Sequence, residues 1–372
     1  MKKITIIGSL AVLLLGVTAC EKKDGIDDDL SFLSSATTSN NAKIFDISND
    51  NSGNVKITPL GEGAASYTVA YGHGTGAGAS AVVMPGFSTT HSYPEGSYTV
   101  TITSKSLSGQ ETTASYPLQL TYRAPENIDI TTTTNVHNLK VKATALYAAS
   151  YLVYFGDVAN EVGTPMATGV ELSHNYAAAG TYNVKVVALS GGAAKSEKTV
   201  PVVIYDAFGL PITFDLTTIN YFFGTFGGGQ AFATVANPSA TGLNTSAKVG
   251  KFTRGFEAWS GTYSPLNTPI DMALGKKIKV LVYNPDPALI GKKLNVELEA
   301  GSSIANGVAV LKTAVTTSGA WEELVFDFST IAAIPATEKF SQLVLRFSDG
   351  VDGNGVGGNG SVIYVDNFRL TN

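Results

Sequence analysis

The stretch Lys251-Phe-Thr-Arg254-Gly-Phe-Glu257-Ala-Trp259-Ser-Gly-Thr-Tyr263 sets aromatic rings, two cations and a carboxylate close together. That mixture suits a polyhydroxylated ring. A pyranose offers C–H groups that stack on aromatic faces, and hydroxyls that need donors and acceptors. On a strand, the odd positions Lys251, Glu257, Trp259 and Tyr263 would share one face, with Gly255 and Gly261 able to shift the register. Arg254 is a further candidate contact. Trp259 reads equally as a platform or as a buried core aromatic. A second cluster is Tyr221-Phe222-Phe223, followed by Gly224 and Gly227-Gly228-Gly229. Three successive aromatics cannot all point inward from a strand, so at least one faces solvent or ligand, and Tyr221 is the expected one. Trp321 opens an alternating stretch with Leu324, Phe326 and Phe328. It reads first as packing or rim and second as a contact.

Catalytic chemistry finds little support. The four histidines are His73, His91, His137 and His174, so none lies beyond residue 174, and Cys20 is the only cysteine. A Ser-His-Asp or Cys-His site in the last 160 or so residues is therefore excluded. His91 and His174 occupy equivalent places in a repeat, which predicts a shared structural task such as a turn hydrogen bond. No Gly-x-x-x-x-Gly-Lys-Ser/Thr phosphate loop occurs, nor does the Glu-x-Asp-x-x-Glu signature of family-16 glycoside hydrolases. A glycosidase needs only two carboxylates, and Glu257, Glu297, Glu299, Glu322 and Glu323 are available. Glu297 and Glu299 would share a strand face. A solvated sheet face is the preferred reading for them. No catalytic residue is expected.

The elements that position these residues are strands. The chain has 372 residues, 39 of them glycine, and a formal net charge of −5. The length suffices for two or three domains, and the charge argues against a nucleic-acid partner. The middle of the chain repeats itself. Asn54-Val-Lys-Ile-Thr leads to Ala65-Ser-Tyr67-Thr-Val-Ala-Tyr71-Gly72. At an offset of 84 residues, Asn138-Leu-Lys-Val-Lys leads to Ala149-Ser-Tyr151-Leu-Val-Tyr-Phe155-Gly156. Farther on, His91-Ser-Tyr93 precedes Gly96-Ser-Tyr98-Thr-Val100, and His174-Asn-Tyr176 precedes Gly180-Thr-Tyr182-Asn-Val184. Such a period marks tandem domains rather than a solenoid. Alternating strands with Gly-rich turns predict a small β-sandwich for each unit.

The units resemble PKD domains, which carry a strand ending in a Gly-Asp turn and a later His-x-Tyr … Gly-x-Tyr-x-Val hairpin. The second unit has Phe155-Gly156-Asp157. In the first, His73 replaces the usual Asp, and in the second Val158 follows Asp157 where Gly is usual. The expected bounds are 38–122 and 123–205. Residues 206–372 change pattern, with alternating strands at 276–283, 294–299, 321–328, 342–347 and 361–370 and no helical stripe. They predict an antiparallel jelly roll. The segment is similar to the C-terminal carbohydrate-binding jelly rolls of Bacteroidota surface glycan-binding proteins. The residues that carry this are Ile212-Thr-Phe-Asp215, Val235-Ala-Asn-Pro238, Lys248–Gly255, Ala258-Trp259-Ser-Gly-Thr-Tyr263, Trp321-Glu-Glu-Leu and Tyr364-Val-Asp366-Asn367. The resemblance implies a structural Ca²⁺ between the first and last strands, with Asp215 and Asp366 as ligands.

The N-terminus predicts secretion. Lys2-Lys3 precedes an apolar run from Ile4 to Val17, which is too short to span a bilayer comfortably. Val17-Thr18-Ala19-Cys20 resembles a lipoprotein signal-peptidase box. Residues 1–19 are therefore expected to be a signal peptide, Cys20 the lipidated residue, and 20–37 an acidic tether. Acidic residues just after the cysteine resemble the surface-export signal of Bacteroidota lipoproteins, which implies an outer-membrane anchor exposed on the cell surface. Taken together, the chain resembles the surface glycan-binding lipoproteins of polysaccharide-utilisation loci. The fold class is all-β, with two PKD/immunoglobulin-like sandwiches followed by a jelly roll. The resemblance implies non-catalytic capture of a polysaccharide for an outer-membrane transporter complex, a β-1,3-glucan such as laminarin being the best expectation. The alternatives are a surface glycoside hydrolase or lyase working through carboxylates, and a structural or adhesive protein with an exposed apolar patch.

Overall fold

A computed structural model describes residues 31–348 and 360–372. Cys20, the expected signal peptide, most of the expected tether and the Asp349–Gly355 stretch lie outside the described residues. The described chain is all-β, and its strands assemble into six sheets that pair into three sandwiches.

The first unit contains strands β1 (Ser39–Ile47), β2 (Asn54–Glu62), β3 (Ala64–Ala70), β4 (Ser80–Val83), β5 (Thr89–Ser92), β6 (Gly96–Ser106) and β7 (Glu111–Leu120). They form sheets β1-β2-β5 and β4-β3-β6-β7. Alternation decides which side chains enter the core. Val55 and Ile57 of β2, Tyr67 and Val69 of β3, and Val100 and Ile102 of β6 are buried, while Lys56, Thr68 and Thr99 are exposed.

The second unit opens with the matching set, β8 (Glu126–Asn135), β9 (Asn138–Leu146), β10 (Ser150–Tyr154), β11 (Thr164–Ala167), β12 (Leu172–Asn175), β13 (Gly180–Leu189) and β14 (Lys195–Ile204). Its sheets, β12-β9-β8 and β11-β10-β13-β14, repeat the first pair strand for strand. The sequence repeat is thus a repeat of topology. Repeat-equivalent tyrosines do the same work in both sandwiches. Buried Tyr93 donates its hydroxyl to the Tyr71 carbonyl at 3.1 Å, and buried Tyr176 donates to the Phe155 carbonyl at 3.0 Å. Burial pushes the Tyr93 phenol up to about 12 and the Tyr176 phenol well above its ordinary value, as expected of hydroxyls that serve only as donors.

The same unit continues into the ten-stranded jelly roll. Its strands are β15 (Gly224–Phe226), β16 (Ala231–Ala236), β17 (Lys248–Thr253), β18 (Gly261–Asp271), β19 (Lys277–Tyr283), β20 (Lys293–Glu299), β21 (Val308–Ala314), β22 (Trp321–Asp327), β23 (Lys339–Phe347) and β24 (Val362–Thr371). One sheet runs β15-β18-β23-β20-β21, the other β16-β17-β24-β19-β22. Between them lies the largest core. Leu294, Val296, Leu298, Leu343, Leu345 and Phe347 face it from the first sheet, and Ile278, Val280, Val282, Phe326, Ile363 and Val365 from the second. Period-two strands leave each sheet a second, outward face, and the candidate site is built on one of these.

A candidate carbohydrate-binding face

The outward face of the first jelly-roll sheet is ordered in rungs. Along one rung Phe226 stands beside Gly261, Arg346, Asn295 and Lys312, and along the next Gly224 stands beside Tyr263, Val344, Glu297 and Val310. A third rung aligns Pro265, Gln342, Glu299 and Val308. Aromatics gather at one side, polar groups along the middle.

Two glycines shape the aromatic side. A Cβ on Gly224 would lie 2.5 Å from the Tyr263 ring, and one on Gly261 would lie 2.6 Å from the Phe226 ring. Their lack of a side chain lets both rings lie against neighbouring backbone as a low shelf. Trp259 extends the shelf. Its indole runs parallel to Phe226, 9° between planes and 6.0 Å between centroids, and it remains 51% exposed. The loop that carries it is fixed by backbone bonds. Phe256 N donates to Gly228 O at 3.0 Å, Glu257 N to Gly227 O at 3.2 Å, and Ser260 N to Glu257 O at 3.0 Å. Three successive positive-φ residues, Gly227, Gly228 and Gly229, make the facing turn.

The polar floor is held by its own partners. Arg346 Nη2 lies 3.0 Å from Glu297 Oε2, and its guanidinium sits 5.6 Å from the Phe226 centroid. Gln342 Nε2 donates to Glu299 Oε2. Glu297 is only 3% exposed although it points away from the core. Charge pairing of this kind fixes the orientation of both groups in a partly dry environment. Phe226, Tyr263, Glu299, Gln342 and Val344 line a shallow hollow of about 300 Å³. An aromatic shelf beside oriented amide and carboxylate groups can stack a sugar ring and hydrogen-bond its hydroxyls at once.

Four expected contacts need correction, that of Trp321 only in its second reading. Lys251 lies on β17, opposite Tyr364, and so belongs to the other sheet. The shared odd-numbered face fails because the chain changes sheets between Lys251 and Tyr263. Arg254 is 1% exposed, and its Nη1 donates to its neighbour's carbonyl, Gly255 O, at 3.1 Å. Tyr221 packs inward, against Phe208 and Phe214, and Phe223 stacks on Phe232. The outward member of that triplet is Phe222, 47% exposed. Trp321 is 7% exposed and donates its Nε1–H to Ser239 O at 2.8 Å, so it packs. Of the remaining candidates, Trp259 and Tyr263 share the shelf, and Glu257 is exposed in the Trp259 loop. Sequence reasoning missed Phe226, Arg346 and Gln342. The alternation of β23, with Gln342, Val344 and Arg346 between core Leu343 and Leu345, is the signal that could have found the last two.

The other carboxylates have structural duties. Glu322 caps the turn at Thr316 and Thr317, and Glu323 pairs with Lys279 and Arg369. Asp366 is buried. Its Oδ2 accepts from Asn244 Nδ2 at 2.8 Å and Ser246 Oγ at 2.6 Å, and its Oδ1 accepts from Asn367 N. Burial pushes its carboxyl above the usual range, these bonds pull the other way, and nearby Asp215 adds to the rise. Asp215 Oδ1 itself accepts from Lys248 N at 2.8 Å. Among the described residues no three His, Cys, Asp or Glu side chains gather as a metal site.

No family model matches the chain, and no curated protein matches it. Solved structures do. A carbohydrate-binding module from the β-sandwich superfamily, studied for its promiscuous specificity, aligns over 67% of this chain and 99% of its own length, at 16% identity and a TM-score of 0.31. The family 11 carbohydrate-binding module of the Clostridium thermocellum cellulase Lic26A-Cel5E aligns over 45% of this chain and 96% of its own, at 16% identity and a TM-score of 0.30. The xylan-binding CBM22-1 domain of Paenibacillus barcinonensis Xyn10C aligns over 43% and 92%, at 16% identity and a TM-score of 0.26. The structural neighbours are carbohydrate-binding modules with β-sandwich folds. At these scores the likeness carries no argument about ligand or activity, which must come from the face itself.

Proposed function

We propose that this chain is a non-catalytic, lipid-anchored surface protein that captures polysaccharide on the outward face of the jelly-roll sheet β15-β18-β23-β20-β21. The observation that carries the reading is Trp259, half exposed and parallel to Phe226, beside the oriented Arg346–Glu297 and Gln342–Glu299 pairs. Covering the exposed indole with the C–H face of a sugar buries apolar area, and a sugar ring fits both the shelf and the floor. The preferred ligand is a β-1,3-glucan such as laminarin, handed to an outer-membrane transporter complex, with Cys20 as the acylated anchor. Affinity electrophoresis of the full chain against a polysaccharide panel, with Trp259→Ala alongside, tests the binding. Retention by at least one glycan, lost in the variant, is the expected result, and no retention by any glycan overturns it. Metabolic labelling with a palmitate analogue, lost in Cys20→Ala, tests the anchor.

A structural Ca²⁺ at Asp215 and Asp366 belongs to the same proposal. Two carboxylates and the Ser246 hydroxyl supply oxygen there. A melting temperature that falls on adding EGTA in the wild type but not in Asp366→Asn is the expected result.

One observation favours protein adhesion as a second reading. Val82, Met84 and Phe87 lie exposed around one hollow of the first sandwich. Failure of every glycan in the panel would leave that patch as the leading candidate for partner contact.

A further inference from the structure

The candidate face continues past the rim of the jelly roll. Tyr263 and Pro265 project from the same side of β18, and Pro265 lies opposite Gln342. Phe222 stands edge-on to Tyr263, 6.1 Å between centroids. Phe222 and Pro265 line a second hollow of about 180 Å³, and the first hollow's Tyr263 and Gln342 are their immediate neighbours. The second is walled by Asn220 and Asn267 from the jelly roll, by Tyr205 and Asp206 from the connecting segment, and by the β8–β9 turn of the second sandwich around Asn135. It repeats the composition of the first, aromatic rings beside amides.

The connecting segment that forms its base is pinned from both sides. His137 Nε2 lies 2.8 Å from Asp206 Oδ1, and Asp206 N donates to Thr218 O at 2.7 Å. Phe208 N donates to Asn267 Oδ1 at 3.0 Å, and Asn267 N returns a bond to Phe208 O at 2.8 Å. The hollow is therefore built from fixed parts, which reduces the ordering cost of binding.

We infer that the second sandwich supplies a distal subsite, so that a single glycan chain lies across both hollows. The four residue steps of β18 from Gly261 to Pro265 already span about 14 Å at ~3.4 Å per step, and the second hollow lengthens the track further. The lining selects an uncharged, hydroxyl-rich chain. Its polar side chains are three amides, Asn135, Asn220 and Asn267, two hydroxyls, Thr134 and Tyr205, and one carboxylate, Asp206, which is committed to His137. The inference rests on the proposal that the first hollow binds sugar. It makes the second sandwich part of the binding surface and not a spacer alone.

Calorimetry on the full chain with β-1,3-glucan disaccharide and hexasaccharide separates the two claims. The same pair of lengths from mixed-linkage glucan and from xylan serves as parallel probes. Two variants address the distal subsite. Asn220→Ala removes an exposed amide, and Thr134→Trp fills the hollow from an exposed position near the end of β8. Each is expected to weaken the hexasaccharide by roughly fivefold, the value of one good hydrogen bond, and to leave the disaccharide unchanged. Trp259→Ala weakens both lengths. An unchanged hexasaccharide affinity in Asn220→Ala and Thr134→Trp, with Trp259→Ala still weakened, overturns the distal subsite and leaves the first hollow standing. Absence of wild-type binding to every probe overturns both.

Discussion

The jelly roll has two outward faces, and each carries a tryptophan on or beside its strands. Trp259 borders the first sheet and is half exposed. Trp321 begins β22 of the second sheet and is buried, yet it is not part of the main core. It packs with Val249 and Leu281, with Tyr283 and Tyr364 against them, on the outward side of its sheet. Residues 237–247, which connect β16 to β17, hold that side closed. The segment accepts the Trp321 Nε1–H at Ser239 O, and Asp366 clamps it through Asn244 and Ser246. A sheet face thus becomes core or site according to whether a connection crosses it. Strand alternation supplies both outward faces and does not choose between them.

The largest effect should come from breaking the covered face. Trp321→Ala removes a buried indole and leaves Ser239 O without its donor, which should cost about 3–5 kcal/mol of stability. Chemical denaturation would show it as a lower midpoint, with glycan affinity unchanged in whatever remains folded. Should Trp321→Ala abolish glycan binding in fully folded protein, the assignment of the two faces is reversed. Next, Asp366→Ala frees the connection and strands the Asn244 amide, at a cost of about 2 kcal/mol. Its additional mark is a red shift of tryptophan emission as water reaches Trp321.

On the open face, Trp259→Ala removes area that the fold leaves uncovered and the proposed glycan would cover. The expected loss is about 2 kcal/mol of binding, roughly thirtyfold in affinity, with the melting temperature nearly unchanged. The pair of tryptophan variants is therefore a crossed test, one moving stability and the other affinity.

Much of the fold is legible in the residues. The repeated Tyr-x-Val alternation and its offset specify two equal sandwiches, because period-two burial admits no other element. The shelf is half legible. Trp259 and Tyr263 stand in one short window, and their residue types point to stacking. Lys251 and Arg254 stand in the same window and fail, because the chain leaves one sheet and enters the other between Thr253 and Gly261. Sequence proximity says nothing about which sheet a strand joins. The Tyr221-Phe222-Phe223 triplet shows a second limit. That one ring must face outward follows from strand geometry, but which ring does so depends on Phe208, Phe214 and Phe232, contributed by other segments. Arg346 and Gln342 are legible only after β23 is placed next to β18, a pairing between residues about 80 positions apart.

The tandem sandwiches repeat the lesson of paired positions with different partners, at a smaller scale. In the second sandwich His174 stacks on Phe155 at 4.0 Å and meets Asp157 Oδ2 at 2.8 Å. In the first, His91 stacks on Tyr71 at 4.1 Å, but its partner is His73, with 3.0 Å between ring nitrogens. His174 has a carboxylate beside it. His91 has an imidazole there, and burial first, then His73, lowers its pKa. A histidine depressed in the folded state is protonated more readily in the unfolded chain. Its contribution is therefore complete above the unfolded value near 6.5 and is lost as pH falls through the lower folded value. His73→Asp rebuilds the arrangement of the second sandwich and should restore roughly 0.5 kcal/mol to the first at pH 5, while changing little at pH 8. Hydrogen exchange of β3 and β6 amides at the two pH values would read this, with the β10 and β13 amides as the internal control. Equal protection in His73→Asp and wild type at pH 5 would show that the histidine pair is electrostatically idle.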